Sequence, residues 1–244
     1  MLNLPSINPD TALFLDFDGT LVEIAATPDS VIVPPDLPAV LIGLSAFLNG
    51  ALCIVSGRTV KELVDYLAPA DLTMAGEHGA SFRAAGAEAG TLSPFWPKAW
   101  NEALDTFTAN HPGTLVERKS RSVCIHFRLV PGAGEDALAL ASSLARDKSG
   151  KYEVLPAKMA FEVKQAGINK GQAVEMIMKR PPFQGRIPIF VGDDVTDEGG
   201  FAAAERHGGI GLHVERAFGN KPETVRSWLK QQLRASSGIH HDAA

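Results

Sequence analysis

The sequence predicts a doubly wound α/β protein, in which a parallel-sheet core carries an inserted α+β unit. Two observations predict this fold. Short apolar segments alternate with amphipathic helical segments towards both ends of the 244-residue chain, whereas apolar residues recur with period two in its middle third. We expect the core to comprise residues 1–81 and 164–244, and the inserted unit to comprise residues 82–163.

The first part of the core has the order strand, helix, strand, helix, strand. Apolar runs at 12–17, 51–57 and 72–76 are typical of buried strands. Segment 36–48 predicts a helix, and segment 59–67 predicts another that begins with a Thr-x-x-Glu capping box. Because such an order requires crossover connections, these three strands are expected to be parallel.

The inserted unit is predicted to be a sheet with one polar face. Its strands are expected at 115–119, 122–128 and 159–164, with helices at 96–109 and 135–146. Alternate residues of a strand point to opposite faces, so the polar residues of these strands share one face. That face is predicted to carry Glu117, Lys119, His126, Arg128 and Glu162.

The α/β alternation returns after residue 165. A helix is predicted at 169–179, buried strands at 186–194 and 209–214, and a closing helix at 221–233.

Composition excludes several classes of partner. The net charge is −5 and no block of Lys and Arg is present, so we expect no nucleic-acid or membrane partner. There is no run of about 18 apolar residues and no signal-peptide pattern at the start. Cys53 and Cys124 lie in apolar or alternating runs and are interpreted as buried side chains. We expect a cytoplasmic monomer.

Four polar stretches fall at predicted strand ends or at a helix start. They are Asp16–Thr20, Ser56–Arg58, Lys170 and Asp193–Asp197. Ligands of open parallel sheets bind at the carboxyl edge of the strands, so these stretches are expected to converge there. Each stretch alone could be an ordinary turn or a solvated charge, but their combination favours a site for a metal and a phosphoryl group.

Asp16 and Asp18 fit the chemistry of phosphoryl transfer. A carboxylate can attack phosphorus and form an aspartyl-phosphate, provided that a cation offsets the repulsion between the two anions. Mg²⁺ prefers oxygen ligands, and Asp193 supplies a further carboxylate at another strand end. Asp18 is then available as general acid and base.

The motifs "DFDGTL", "SGR", "NKG" and "GDDVTDE" resemble the four ordered motifs of the haloacid dehalogenase (HAD) superfamily. The inserted unit is similar to the type C2 caps of that superfamily. More closely, "AGEHGA", "LVERKSRSVCIHFR" and "FEVK" resemble segments of the trehalose-6-phosphate phosphatases. The resemblance covers about residues 12–230 and implies an HAD-like, Rossmannoid core with a cap.

The resemblance implies a role for each core motif. Asp16 is implied as nucleophile and Mg²⁺ ligand. Asp18 would bind Mg²⁺ through its backbone carbonyl, and its side chain would protonate the leaving sugar oxygen and then activate water. Ser56 and Lys170 would hold the phosphoryl group.

The resemblance also implies supporting and substrate-binding residues. Asp193 would complete the protein ligands of the metal, and Asp194 and Asp197 would support it. The implied substrate-binding residues are Arg58, Glu117, Lys119, Arg128 and Glu162. For the four on the inserted unit, the alternative is a solvated sheet face with cross-strand ion pairs.

The implied reaction is Mg²⁺-dependent hydrolysis of trehalose 6-phosphate through phospho-Asp16. Two alternatives stay open at this point. One is a phosphatase of another sugar phosphate, such as sucrose phosphate or a glycosyl-phosphoglycerate. The other is a sugar-phosphate sensor without catalysis.

Overall fold

A computed structural model describes residues 4–88, 96–146 and 150–239. The chain divides into two compact units: Met1–Gly90 together with Asn169–Ala244, and Thr91–Ile168. Within the described part of the chain, no helix is long and apolar enough to cross a membrane.

The strands follow one another in the order that the sequence predicts, with two additions. They are β1 (Thr11–Leu15), β2 (Leu52–Val55), β3 (Thr73–Gly76), β4 (Ser81–Arg83), β5 (Leu115–Arg118), β6 (Ser122–His126), β7 (Tyr152–Ala157), β8 (Ala160–Gln165), β9 (Ile187–Gly192) and β10 (Ile210–His213). The sequence analysis missed β4 and β7.

The helices lie between these strands and at the end of the chain. They are α1 (Leu37–Phe47), α2 (Val60–Leu67), α3 (Trp100–Asn110), α4 (Gly134–Ala145), α5 (Lys170–Ile177), α6 (Glu198–Arg206), α7 (Val214–Phe218) and α8 (Pro222–Ile239). The sequence analysis missed α6 and α7, and placed the end of α8 too early.

The first unit is built on a six-stranded sheet in the order β10-β9-β1-β2-β3-β4. Neighbouring strands are parallel except for β4, which runs antiparallel to β3. The predicted parallel α/β core is therefore confirmed. All five residues of β1 are buried, as expected for a central strand covered on both faces.

The register of the central strands brings the site together. Leu15, the last residue of β1, pairs with Ile54 of β2 and with Val191 of β9. Because the three strands are parallel, Asp16, Ser56 and Asp193 leave the sheet at the same edge.

Helix α6 escaped prediction because its first turn contains Gly199 and Gly200, which have poor helix propensity. The packing of α5 against α6 explains why glycine occurs there. A Cβ on Gly171 of α5 would lie 2.4 Å from the carbonyl oxygen of Gly199. The two helices therefore approach each other through glycines, and tertiary contact outweighs the local preference.

The second unit is an antiparallel sheet in the order β5-β6-β8-β7. Its apolar face packs with α3 and α4 around a separate hydrophobic core that includes Trp100, Val123 and Val163. Strand β7 contains Pro156, a residue that disfavours strands because it has no N–H group to donate. Since β7 is an edge strand, a proline is tolerated there.

Two strands lie across the unit boundaries that the sequence suggested. The boundary at 81/82 falls within β4, which belongs to the sheet of the first unit. The boundary at 163/164 falls within β8, which belongs to the sheet of the second unit. The compact units keep each of these strands whole.

Candidate active site

A buried ion pair lies at the carboxyl edge of the parallel sheet. Asp16 follows β1, and its Oδ1 atom lies 2.6 Å from Nζ of Lys170, the first residue of α5. The two residues are only 4% and 3% exposed. Burial raises the pKa of Asp16 well above its ordinary value, and the carboxylates of Asp197 and Asp193 add to this increase although Lys170 opposes it.

Asp197 anchors the loop that follows β9. Its Oδ1 atom accepts a hydrogen bond from Lys170 at 2.7 Å, and its Oδ2 atom accepts from the backbone N–H groups of Asp193 and Asp194, both at 3.1 Å. The residue is fully buried. A Cβ on Gly192 would lie 2.3 Å from the carboxyl carbon of Asp197, so glycine allows this close approach. Asp197 thus holds both Lys170 and the loop in position.

Thr20 links two acids of the site, a role that the sequence analysis missed. Its hydroxyl lies 3.2 Å from Oδ2 of Asp16 and 3.4 Å from Oδ1 of Asp193. The only signal in the sequence was its place two residues after Asp18, within the Asp-Gly-Thr stretch.

Burial, with a contribution from the charge of Asp197, raises the pKa of Asp193 to about 6.

Three carboxylates of this site could hold a divalent cation. One oxygen from each of Asp16, Asp193 and Asp197 lies within 4.8 Å of the others. An all-oxygen donor set suits a hard cation such as Mg²⁺, and a positive charge would offset the repulsion between the acids. These residues therefore fit a metal. The Asp18 carbonyl as a further ligand stays a prediction.

Gly19 leaves room for this arrangement. Its φ angle is +80°, and a Cβ at this position would lie 2.1 Å from Oδ2 of Asp193. Both the left-handed backbone and the close approach require glycine.

We expect Gly19→Ala to displace Asp193 and to lower both activity and stability. The matched control is Gly185→Ala, because Gly185 has the same φ of +80°, but a methyl group there would have no atom of the described residues within 4 Å apart from those of its two chain neighbours. The control should show only the backbone penalty, about 1–2 kcal/mol. Urea unfolding and phosphate release measure the two effects. Equal losses in both variants would contradict the proposed clash.

The Asp18 carboxylate is held by Arg58 and does not belong to the group of three carboxylates described above. Nε and Nη2 of Arg58 donate to the two carboxylate oxygens at 2.7 and 2.8 Å, a bidentate ion pair. The guanidinium lies 5.8 Å from the ring centre of Phe17 and 5.1 Å from that of Tyr66. Glu62 contacts it at 3.4 Å. Arg58, predicted to bind substrate, thus fixes the position of Asp18.

The turn after β3 clamps the Ser56–Arg58 loop. The backbone N–H groups of His78 and Glu77 donate to the carbonyls of Ser56 and Arg58 at 2.9 and 2.8 Å. Both donors have left-handed backbones, with φ of 59° and 50°. Non-glycine residues adopt such angles uncommonly, so the surrounding structure must hold the turn in this conformation. The clamp places Ser56, which is 1% exposed, at the sheet edge beside Asp16.

The polar face of the second unit carries a charged cluster. Nζ of Lys119 lies 3.7 Å from Oε1 of Glu117 and 3.5 Å from Oε1 of Glu162. Ser122 donates a short hydrogen bond to Glu162. Nε2 of His126 lies 2.9 Å from Oε2 of Glu117. Although burial opposes it, this hydrogen bond and the charge of Lys119 hold the pKa of Glu117 below its ordinary value.

The structure also gives contacts for two further predicted site residues, Arg128 and Asp194. Arg128 lies two residues beyond the end of β6, because the observed strand ends at His126 whereas the sequence predicted a strand to residue 128. Its guanidinium donates to the carbonyl of Lys158 at 3.1 Å. Asp194 accepts a hydrogen bond from the N–H of Val195 at 2.6 Å and caps a short 3₁₀ turn, Val195–Asp197.

Comparison with known families identifies the chain. A family profile described as Trehalose-phosphatase matches residues 14–232. The chain belongs to the trehalose-phosphatase family. Within that family it is 38% identical over 206 residues to a probable trehalose-phosphate phosphatase of Sinorhizobium fredii, covering 83% of this chain and 77% of the relative. It is 34% identical over 212 residues to the trehalose-6-phosphate phosphatase of Escherichia coli, covering 86% and 79%.

Solved structures agree with this trehalose-phosphatase assignment at the level of the fold. The C-terminal domain of the C. albicans trehalose-6-phosphate phosphatase superposes with a TM-score of 0.74 at 21% identity, covering 93% of this chain and 92% of that one. The predicted HAD-like fold class is confirmed.

Proposed function

We propose that this chain hydrolyses trehalose 6-phosphate to trehalose and phosphate. The buried Asp16–Lys170 pair at the sheet edge, beside the acids of the fourth motif, is the observation that carries the proposal. It combines a carboxylate nucleophile with a fixed positive charge, and both groups are buried. The names of the relatives supply the substrate.

In the first step, an Asp16 oxygen attacks phosphorus while the bond from phosphorus to the sugar oxygen breaks. Asp18, held by Arg58, donates a proton to the leaving oxygen. Asp18 then takes a proton from water, which attacks the phosphorus of phospho-Asp16. Phosphate leaves, Asp16 is restored, and Asp18 is again protonated. Ser56 and Lys170 hold the phosphoryl oxygens through both steps.

The trehalose-phosphatase family implies a divalent metal, and we propose that it is Mg²⁺. Asp16 and Asp193 would hold it, together with the carbonyl of Asp18. The cation would offset the negative charges of the carboxylate and the phosphoryl group as they approach. Asp197 and Asp194 support this site by fixing the loop that carries Asp193.

We propose that the charged cluster of the second unit, with Arg128, binds the hydroxyls of the disaccharide. Glu117, Lys119 and Glu162 offer donors and acceptors on the polar face of one sheet. A sugar that matches this set pairs every group, whereas an analogue leaves some of them unpaired.

A substrate panel tests this proposal. With Mg²⁺ present, we expect fast phosphate release from trehalose 6-phosphate, and slow release from sucrose 6-phosphate, glucose 6-phosphate and a glycosyl-phosphoglycerate. Removal of the metal by EDTA should stop the reaction. Preference for another member of the panel would overturn the substrate assignment, and no release from any would favour a sensor.

We expect Glu117→Ala and Lys119→Ala to impair only the disaccharide reaction. Loss of one hydrogen bond to a charged group corresponds to about 1.5–3 kcal/mol, or roughly 10- to 100-fold in kcat/KM. Hydrolysis of a generic aryl phosphate should be unchanged. Glu135→Ala, at an exposed position of α4, is the matched control. Equal loss with both substrates would contradict a role in sugar binding.

The monomeric state and the cytoplasmic location stay predictions of the sequence. Analytical ultracentrifugation and cell fractionation would test them.

A further inference from the structure

A second group of metal-binding side chains lies on the polar face of the second unit. Glu117 of β5 and Cys124 of β6 are direct cross-strand partners, and His126 lies two residues further along the same face of β6. One donor atom from each, a carboxylate oxygen, a thiol sulfur and an imidazole nitrogen, lies within 4.8 Å of the other two. We propose that these three side chains form a binding site for a thiophilic divalent cation, with Zn²⁺ as the reference ion.

The donor set determines the class of ion. Zn²⁺ is bound in proteins by Cys, His and carboxylate ligands, and three protein ligands leave a fourth position open for water or another ligand. Mg²⁺ avoids sulfur and favours sites that consist of oxygen atoms alone. The carboxylates of Asp16, Asp193 and Asp197 therefore suit a hard ion such as Mg²⁺. The group that contains Cys124 suits a thiophilic ion such as Zn²⁺.

Charge balance supports a dication here. With Cys124 as thiolate, the site has three negative groups: this thiolate and the carboxylates of Glu117 and Glu162. Their three negative charges balance the two positive charges of the ion and the single positive charge of Lys119. Lys119 lies 3.7 Å from Oε1 of Glu117, whereas His126 approaches Oε2. The ammonium and the imidazole thus approach opposite oxygens of one carboxylate.

The exposure of the three side chains determines the access to the site. The side chains of Glu117 and His126 are 24% and 22% exposed, so an ion can enter from the polar face, although Cys124 itself is 4% exposed.

An occupied site has a consequence for catalysis, which rests on the proposed function. The ion would engage Glu117 and His126 and withdraw this carboxylate from the disaccharide. Zn²⁺ should then raise the KM for trehalose 6-phosphate more than it affects hydrolysis of an aryl phosphate.

The direct test is a Cd²⁺ titration of the Mg²⁺-saturated full chain, followed by the ultraviolet absorption that forms when a thiolate binds this ion. We expect a saturable band that Zn²⁺ abolishes by competition. Cys124→Ser should remove the band, and His126→Ala should weaken binding by at least roughly tenfold. Cys53→Ser is the matched control, because Cys53 is buried in β2.

The outcomes separate this site from the proposed function. Absence of the band, or a band that survives Cys124→Ser and disappears in Cys53→Ser, would overturn the site. Circular dichroism of each variant verifies the fold, and Glu117→Gln is a second variant that leaves both cysteines in place and should also weaken Cd²⁺ binding. A normal titration without turnover of trehalose 6-phosphate would support the site and overturn the proposed substrate.

Discussion

Asp16→Asn should abolish phosphate release from trehalose 6-phosphate and from an aryl phosphate alike. The amide keeps the shape of the side chain but cannot act as the anionic nucleophile, so we expect kcat to fall by roughly 10⁴-fold or more. The fold should survive, because Lys170 keeps its 2.7 Å hydrogen bond to Asp197. Removal of one of three neighbouring carboxylates also reduces their mutual repulsion.

The matched control for this experiment is Asp10→Asn, an exposed acid directly before the same strand. It should retain full activity. Thermal unfolding of both variants separates a loss of chemistry from a loss of fold. Appreciable turnover by a folded Asp16→Asn variant would refute the covalent step.

Lys170→Met should damage both stability and activity. The ammonium is the cation that contacts both Asp16 and Asp197, and all three side chains are at most 5% exposed. Removal of one partner from a buried ion pair leaves uncompensated charge, which destabilises a protein by about 3–5 kcal/mol. Loss of a fixed charge beside the phosphoryl group should lower kcat by about 10²–10³-fold.

Two further variants make the Lys170 result specific. Lys61→Met removes a lysine that is 81% exposed and paired with Asp65, and should leave the stability essentially unchanged. Adding Asp197→Asn to Lys170→Met removes one uncompensated carboxylate and should restore part of the stability, but no activity. Urea denaturation measures both effects. If the double variant were less stable than Lys170→Met, the charge explanation would be wrong.

The sequence predicted the elements whose local preference agrees with the tertiary structure. The apolar run before Asp16 and the capping box at Thr59 are examples, since a buried strand and a helix start both show in a few residues. The sequence did not predict helix α6 or strand β7. Gly199 and Pro156 have poor local propensity, and only their neighbours in space, Gly171 and the free edge of the sheet, make them suitable.

In the candidate site, too, the sequence predicted features with a local signal and missed those that depend on contacts between distant segments. The four motifs predicted which acids gather at the sheet edge, because parallel strands end together. The sequence could not predict that the Asp18 carboxylate faces Arg58, or that Thr20 bridges Asp16 and Asp193. These contacts depend on side-chain direction between segments distant in the chain. The bond between His126 and Glu117 likewise depends on strand register, which periodicity alone leaves open.

The position of β1 in the middle of its sheet has a consequence for synthesis on the ribosome. Asp16 and Lys170 are 154 positions apart, and β9, one of the two neighbours of β1, begins only at Ile187. The nascent chain therefore leaves one edge of this buried strand unpaired until most of the polypeptide has emerged. The second unit is contiguous in sequence and can complete its sheet earlier. We expect chaperone dependence during translation to be greatest before β9 emerges.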